Sequence, residues 1–168
     1  KTIGFIGFGL IAGSIARCIR KCAPDAYMLA FNNRYPNVKP GLSLALKDKV
    51  LNELVCDIQS FSKCDIIFLC APVKKNIEYL DKCKQVMKPD CILTDVGSVK
   101  SGIHAAAEAA GLSAHFIGGH PMAGTQYSGI KHARASLFKN APMVLVPPVY
   151  DDIAFLDGIK QLLAPAGF

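Results

Sequence analysis

Lys1 to Arg20, KTIGFIGFGLIAGSIARCIR, is the stretch on which the reading of the whole chain turns. Thr2 to Phe8 is a short apolar run with β-favouring Ile3, Phe5 and Ile6. It breaks at Gly7-Phe8-Gly9 and resumes as Leu10, Ile11, Ile15 and Ile19, the spacing of one face of a helix. The break holds Gly7-x-Gly9-x-x-Ala12, with Gly13 behind it. Gly7 permits a tight strand-to-helix turn, and Gly9 lets a pyrophosphate come within contact distance of the backbone. Ala12 and Gly13 are expected to let the helix lie close to the sheet. The free N–H groups and partial positive charge of the helix N-terminus then face the phosphates. Gly7, Phe8, Gly9, Leu10 and Ile11 are the first expected cofactor contacts. A glycine turn by itself is a weak signal, and a plain structural turn is the bland alternative. Its place between a strand and a helix, at the head of the chain, favours dinucleotide binding.

Working outward, 168 residues suit one domain, and 51% hydrophobic with 19% charged residues is enough apolar material for a full core. The opening run carries glycines at 4, 7, 9 and 13 and continues into an amphipathic helix, so it does not read as a signal peptide. No run is long enough to span a bilayer, and a membrane partner is not expected. The net charge is +6, but the lysines are dispersed and no basic stripe is interleaved with aromatics, which argues against nucleic acid. A modest positive field suits small anions such as dinucleotide phosphates and carboxylates. Seven cysteines, an odd number with no C-x-x-C, several inside apolar runs, read as reduced and mostly buried thiols of a cytoplasmic protein. No His/Cys cluster has metal-ligand spacing, so no metal is expected.

Strands and helices alternate along the rest of the chain. Tyr27 to Phe31 reads as a second strand, and its end carries Asn32-Asn33-Arg34 where a ribose-reading acid usually stands. An amide repels no phosphate and Arg34 could pair with one, which favours NADP. Asn also bonds a free hydroxyl, so NAD stays open, and the two Asn could simply make a turn. Pro36 to Val55 reads as a helix-like segment and a connection. Asp65 to Cys70 (DIIFLC) is a continuous apolar run, the mark of a parallel strand buried on both faces. Its end, Cys70-Ala71-Pro72, is an expected wall of the cofactor cleft, because ligands lie beyond the carboxyl ends of strands in such sheets. Cys70 reads as packing rather than chemistry.

A helix follows over 74–87, then a strand over Cys91 to Thr94 ending in Asp95-Val96-Gly97-Ser98-Val99-Lys100, then a helix from about Ser101 to Ala110. Asp95 is an expected cofactor contact. Ser98 is either a helix cap or a site residue. Phe116-Ile117 is a short strand leading into Gly118-Gly119-His120-Pro121-Met122-Ala123-Gly124-Thr125, a glycine-rich stretch read as a tight loop that holds one histidine in place. His120 is the histidine expected to act. His104, His115 and His132 read as surface or capping residues. Met143 to Val146 is a last strand and Asp151 to Leu163 a last helix. The fold expected is a Rossmann-type doubly wound α/β domain over 1–168, with a mostly parallel sheet and helices on both faces.

With Gly7 to Ser14, Asp95 to Lys100 and Gly119 to Thr125 in view, the chain resembles the prephenate/arogenate dehydrogenase family from Thr2 onward. The resemblance implies an NAD(P)-dependent oxidative decarboxylation of prephenate, or of arogenate, in tyrosine biosynthesis. By the same resemblance His120 bonds the C4 hydroxyl and draws off its proton, Ser98 supports that histidine near the nicotinamide, and Thr125 and Gln126 lie at the substrate. Family members often carry an acid where this chain has Gln126. The resemblance also implies a second, all-helical domain that forms a homodimer and holds the substrate carboxylates; the 168 residues contain none of it. Neutral imidazole is a suitable base for hydride loss from a carbinol carbon at physiological pH. Two other readings remain: a β-hydroxyacid dehydrogenase relative, which shares the glycine loop but has no counterpart of the His120 stretch, and a non-catalytic dinucleotide-binding module.

Overall fold

The computed structural model describes residues 1–33, 37–38, 40–123, 126–147 and 153–164. Among these, one seven-stranded sheet runs in the order β3-β2-β1-β4-β5-β6-β7. The strands are β1 (Thr2–Ile6), β2 (Tyr27–Phe31), β3 (Glu53–Val55), β4 (Ile66–Leu69), β5 (Ile92–Asp95), β6 (Phe116–Pro121) and β7 (Met143–Val146). The helices are α1 (Leu10–Cys22), α2 (Pro40–Lys47), α3 (Val73–Val86), α4 (Ser101–Ala109) and α5 (Ile153–Leu163). All neighbouring strands are parallel except β6 and β7. The expected doubly wound architecture is the one observed.

The apolar runs explain the layering. In β4 the alternation sends Ile66 and Phe68 to one face, with α1, α2 and α5, and Ile67 and Leu69 to the other, with α3 and α4. In β1, Ile3 and Phe5 join the first layer and Ile6 the second. Phe5 stacks on Phe68 at 5.3 Å across the strand pair. The chain winds from β1 outward to β2 and β3, then returns to place β4 on the other side of β1. That reversal leaves a crevice at the carboxyl ends of β1 and β4.

Four expectations need correction. The connection before Val55 contains a strand, β3, whose three residues are too few to show a period; it pairs with β2 at the sheet edge. Gly118 to Pro121 is not a loop but the second half of β6, paired antiparallel with β7 so that His120 faces Val144. Glycine has little strand propensity, so the pairing comes from the partner strand and not from the local sequence. Between β6 and β7 the described residues hold only 3-10 turns, Ile130–His132 and Ala135–Phe138, so the strand-helix alternation lapses there and β7 returns antiparallel. Gly13 does not press α1 to the sheet. A Cβ there would lie 2.8 Å from Ala133 Cβ and 3.2 Å from Ile130 Cγ1, so it admits the first of those turns. Ser14, fully buried beside it, accepts a hydrogen bond from the Arg134 N–H.

Candidate active site

The crevice is a cavity of about 380 Å³, within the usual range for small-ligand sites. Gly7, Phe8, Gly9, Asn32, Asn33, Cys70, Ala71 and Pro72, expected from three separate places in the sequence, all line it. Gly7 has φ +83°, and a Cβ on it would lie 2.5 Å from the Ala71 nitrogen. The turn after β1 therefore touches the turn after β4, and only glycine fits. Gly9 caps α1, and a Cβ there would meet nothing within 4 Å. The space over it is open, the first turn of α1 carries no acid, and its N–H groups face that space. A pyrophosphate fits this arrangement. Leu10 and Ile11 pack their side chains onto the core, so what they offer the cleft is backbone N–H.

The opposite wall is held by a residue that sequence reasoning missed. Asn76 of α3 is fully buried; its Oδ1 accepts from the Ala71 N–H at 3.0 Å and its Nδ2 donates to the Leu69 carbonyl at 3.0 Å. This fastens the Cys70-Ala71-Pro72 turn. The signal was an amide on the apolar stripe Asn76–Leu80–Cys83 of an otherwise amphipathic helix. Burial, and then the charge of nearby Asp95, push the Cys70 thiol far up, so it stays protonated and packs. Lys75 and Tyr79 of α3 also line the cleft and were not anticipated.

Asp95, expected as a cofactor contact, is fully buried and its carboxylate is taken up by the chain itself. Oδ2 accepts from the Gly97 N–H at 3.0 Å and pairs with the Lys100 ammonium; Oδ1 accepts from the Gly119 N–H at 3.2 Å. Gly97 precedes Ser98 and Gly119 precedes His120. One carboxylate thus ties together the two motifs that carry the expected reactive side chains. The close approach needs glycine at 119, where a Cβ would sit 2.5 Å from the Asp95 carbonyl oxygen. Strand alternation puts His120 on the same side of β6 as Gly118, the side where Lys100 and His104 lie. His120 is half-buried and Ser98 exposed. Ser98 is not a cap: α4 begins after Lys100 without a capping side chain.

His104 is the one other histidine the sequence misplaced. It is not on the surface but packs edge-on against Phe116 at 5.3 Å, half-buried, with Nε2 shut off from water and without a hydrogen-bond partner among the described residues. Burial lowers its pKa. Gln126 is exposed and lines a separate cavity with Tyr127, His132 and Arg134. Arg34 and Thr125 lie outside the described residues. Cys18, Cys64, Cys83 and Cys91 are buried free thiols, pushed by burial to about 11 for Cys18 and about 12 for the others; Cys22 and Cys56 are exposed. Among the described residues no helix is long and apolar enough to cross a membrane.

Comparison with known proteins converges on one family. The family described as prephenate dehydrogenase, nucleotide-binding domain, matches residues 15–168. Among curated relatives, prephenate dehydrogenase of Lactococcus lactis is 35% identical over 86% of this chain and 40% of its own length. Cyclohexadienyl dehydrogenase of Zymomonas mobilis is 29% identical over 89% of this chain and 50% of its own length. The chain therefore spans about half the length, or less, of the curated relatives it matches. Among solved structures, Synechocystis arogenate dehydrogenase superposes with a TM-score of 0.87 at 34% identity, over 99% of this chain and 57% of that one. Prephenate dehydrogenase from A. aeolicus, solved with hydroxyphenyl propionate and NAD+, gives 0.87 at 26% identity, over 99% and 57%.

Proposed function

The chain belongs to the prephenate dehydrogenase family through its nucleotide-binding domain, and from that premise we propose that it forms the cofactor-binding half of an enzyme for the NAD(P)-dependent oxidative decarboxylation of prephenate or arogenate in tyrosine biosynthesis. Gly7, Gly9 and the α1 N-terminus receive the pyrophosphate, Asn32 and Asn33 the adenosine ribose, and the Cys70-Ala71-Pro72 turn bounds the nicotinamide side. When bound, the nicotinamide supplies the hydride acceptor. His120 accepts the proton of the substrate C4 hydroxyl as that carbon becomes a carbonyl, and the ring carboxylate leaves as CO2. The electron pair of the broken C–C bond stays in the ring and passes to the C4 oxygen, so CO2 loss gives the phenolate, which takes up a proton to become the phenol. Ser98 hydrogen-bonds His120 or the hydroxyl and fixes the imidazole. Thr125 and Gln126 border the substrate. A helical second domain supplies the cations for the substrate carboxylates and the homodimer contact.

The observation that supports this reading is the Asp95 carboxylate, which joins the residue before Ser98 to the residue before His120. The test is reduction of NAD and NADP with prephenate and with arogenate, using the protein extended through its second domain. Turnover with one of the two acids is expected, and His120→Asn should lower kcat by roughly 10²–10⁴-fold, the usual worth of a general base. Inactivity of the extended wild type on both acids refutes the reaction; full turnover by His120→Asn removes that residue from it.

A further inference from the structure

The geometry points to Lys75 as the residue with which this chain favours a dinucleotide bearing a 2′-phosphate, a selectivity that rests on the cofactor reading above. The adenosine end of such a cleft lies at the carboxyl end of the second strand, here marked by Asn32 and Asn33. Lys75 and Tyr79, one turn apart on α3, line the same cavity. Lys75 is the sole charged side chain among the described residues that line it, and no carboxylate is among them. Cofactors without a 2′-phosphate are held by an acid on the ribose hydroxyls. This cleft has the opposite character, with two amides and one cation.

The state of Lys75 suits it to the task. Its ammonium reaches Glu78 of the same helix at 2.8 and 3.0 Å, and both side chains are more than half exposed. An exposed pair three residues apart contributes little, so the ammonium can leave Glu78 for a phosphate dianion at small cost. Lysine binds phosphate as a point charge on a flexible stem and needs no fixed fork geometry. Glu78 then acts against the phosphate, both by holding the ammonium and by its own charge.

The test uses two probes that differ by one phosphate, 2′,5′-ADP and 5′-AMP, titrated calorimetrically into this chain at low salt. The wild type is expected to bind 2′,5′-ADP roughly tenfold tighter, a difference of about 1.4 kcal/mol. Lys75→Gln should erase most of that difference and leave 5′-AMP within about twofold, whereas Glu78→Gln should widen it. Equal weakening of both probes by Lys75→Gln would place the ammonium elsewhere on the nucleotide and overturn the proposal, as would no change in either. If the wild type binds neither probe nor NAD nor NADP, it is the cofactor reading of the cleft that fails, and the proposal falls with it.

Discussion

The two halves of the sheet solve the same task by different means. The half built from β1, β2 and β4 makes its cleft out of backbone: a glycine at positive φ, an uncapped helix end and two turns in contact. The half built from β5, β6 and β7 makes its site out of a buried charge, the Asp95 carboxylate, with Lys100 and two glycine N–H groups on it. A backbone cradle tolerates variation in the side chains around it. A charge taken out of water does not, because each missing partner leaves the remainder uncompensated.

The contrast can be broken most forcefully at Asp95. Asp95→Ala strips the Lys100 ammonium and the Gly97 and Gly119 N–H groups of their common acceptor, and should cost about 3–5 kcal/mol in urea unfolding. The loss should fall on the β5–β6 half: hydrogen exchange should rise there first while nucleotide affinity of the protein that remains folded is kept. A loss below about 1 kcal/mol would mean the carboxylate does not organise that half.

In the other half the sharpest probe is Gly7→Ala. The residue sits at φ +83° with a Cβ position 2.5 Å from the Ala71 nitrogen. Backbone strain alone should lower stability by about 1–3 kcal/mol, and separation of the two turns should weaken nucleotide binding in parallel. Stability lost with binding kept would detach the Gly7–Ala71 contact from the cleft.

A smaller and pH-dependent effect separates the halves further. The folded-state pKa of His104 is depressed by burial below its ordinary value of 6.5. The unfolded chain therefore binds the proton first as pH falls, and the neutral imidazole's contribution is present above about pH 6.5 and lost below it. The urea midpoint of the wild type should fall more between pH 7.5 and 5.5 than that of His104→Gln. Parallel curves would show that the imidazole is not held neutral against Phe116.

The same contrast governs what could be read in advance. The cofactor half was legible because its signals are local: Gly7 and Gly9 between an apolar run and a helical period, then β4 as IIFL, buried throughout. The Cys70-Ala71-Pro72 wall followed from topology alone. The half that holds Ser98 and His120 was legible only as residue types. Ser98 and His120 stood out, but Gly118 and Gly119 suggested a loop, since the pairing that makes them strand comes from Met143 to Val146, more than twenty residues on. The role of Asp95 was hidden for a related reason. Its partners lie 2, 5 and 24 residues away, and no period links them. Asn76 and Lys75 show the remaining gap: helical spacing ranks residues by face, and a polar residue on a buried stripe means something only once the turn it fastens is known.

The central proposal is that the Asp95 carboxylate, by holding Gly97 and Gly119, positions Ser98 and His120 for the reaction at the nicotinamide. The most direct measurement is a crystal structure of the extended protein with oxidised cofactor and a substrate analogue bearing the C4 hydroxyl. The account predicts an imidazole nitrogen of His120 about 2.6–3.2 Å from that hydroxyl, on the face of β6 shared with Lys100, with the Asp95 bonds to Gly97 and Gly119 intact. An imidazole directed away from the cofactor, with those bonds in place, would contradict it.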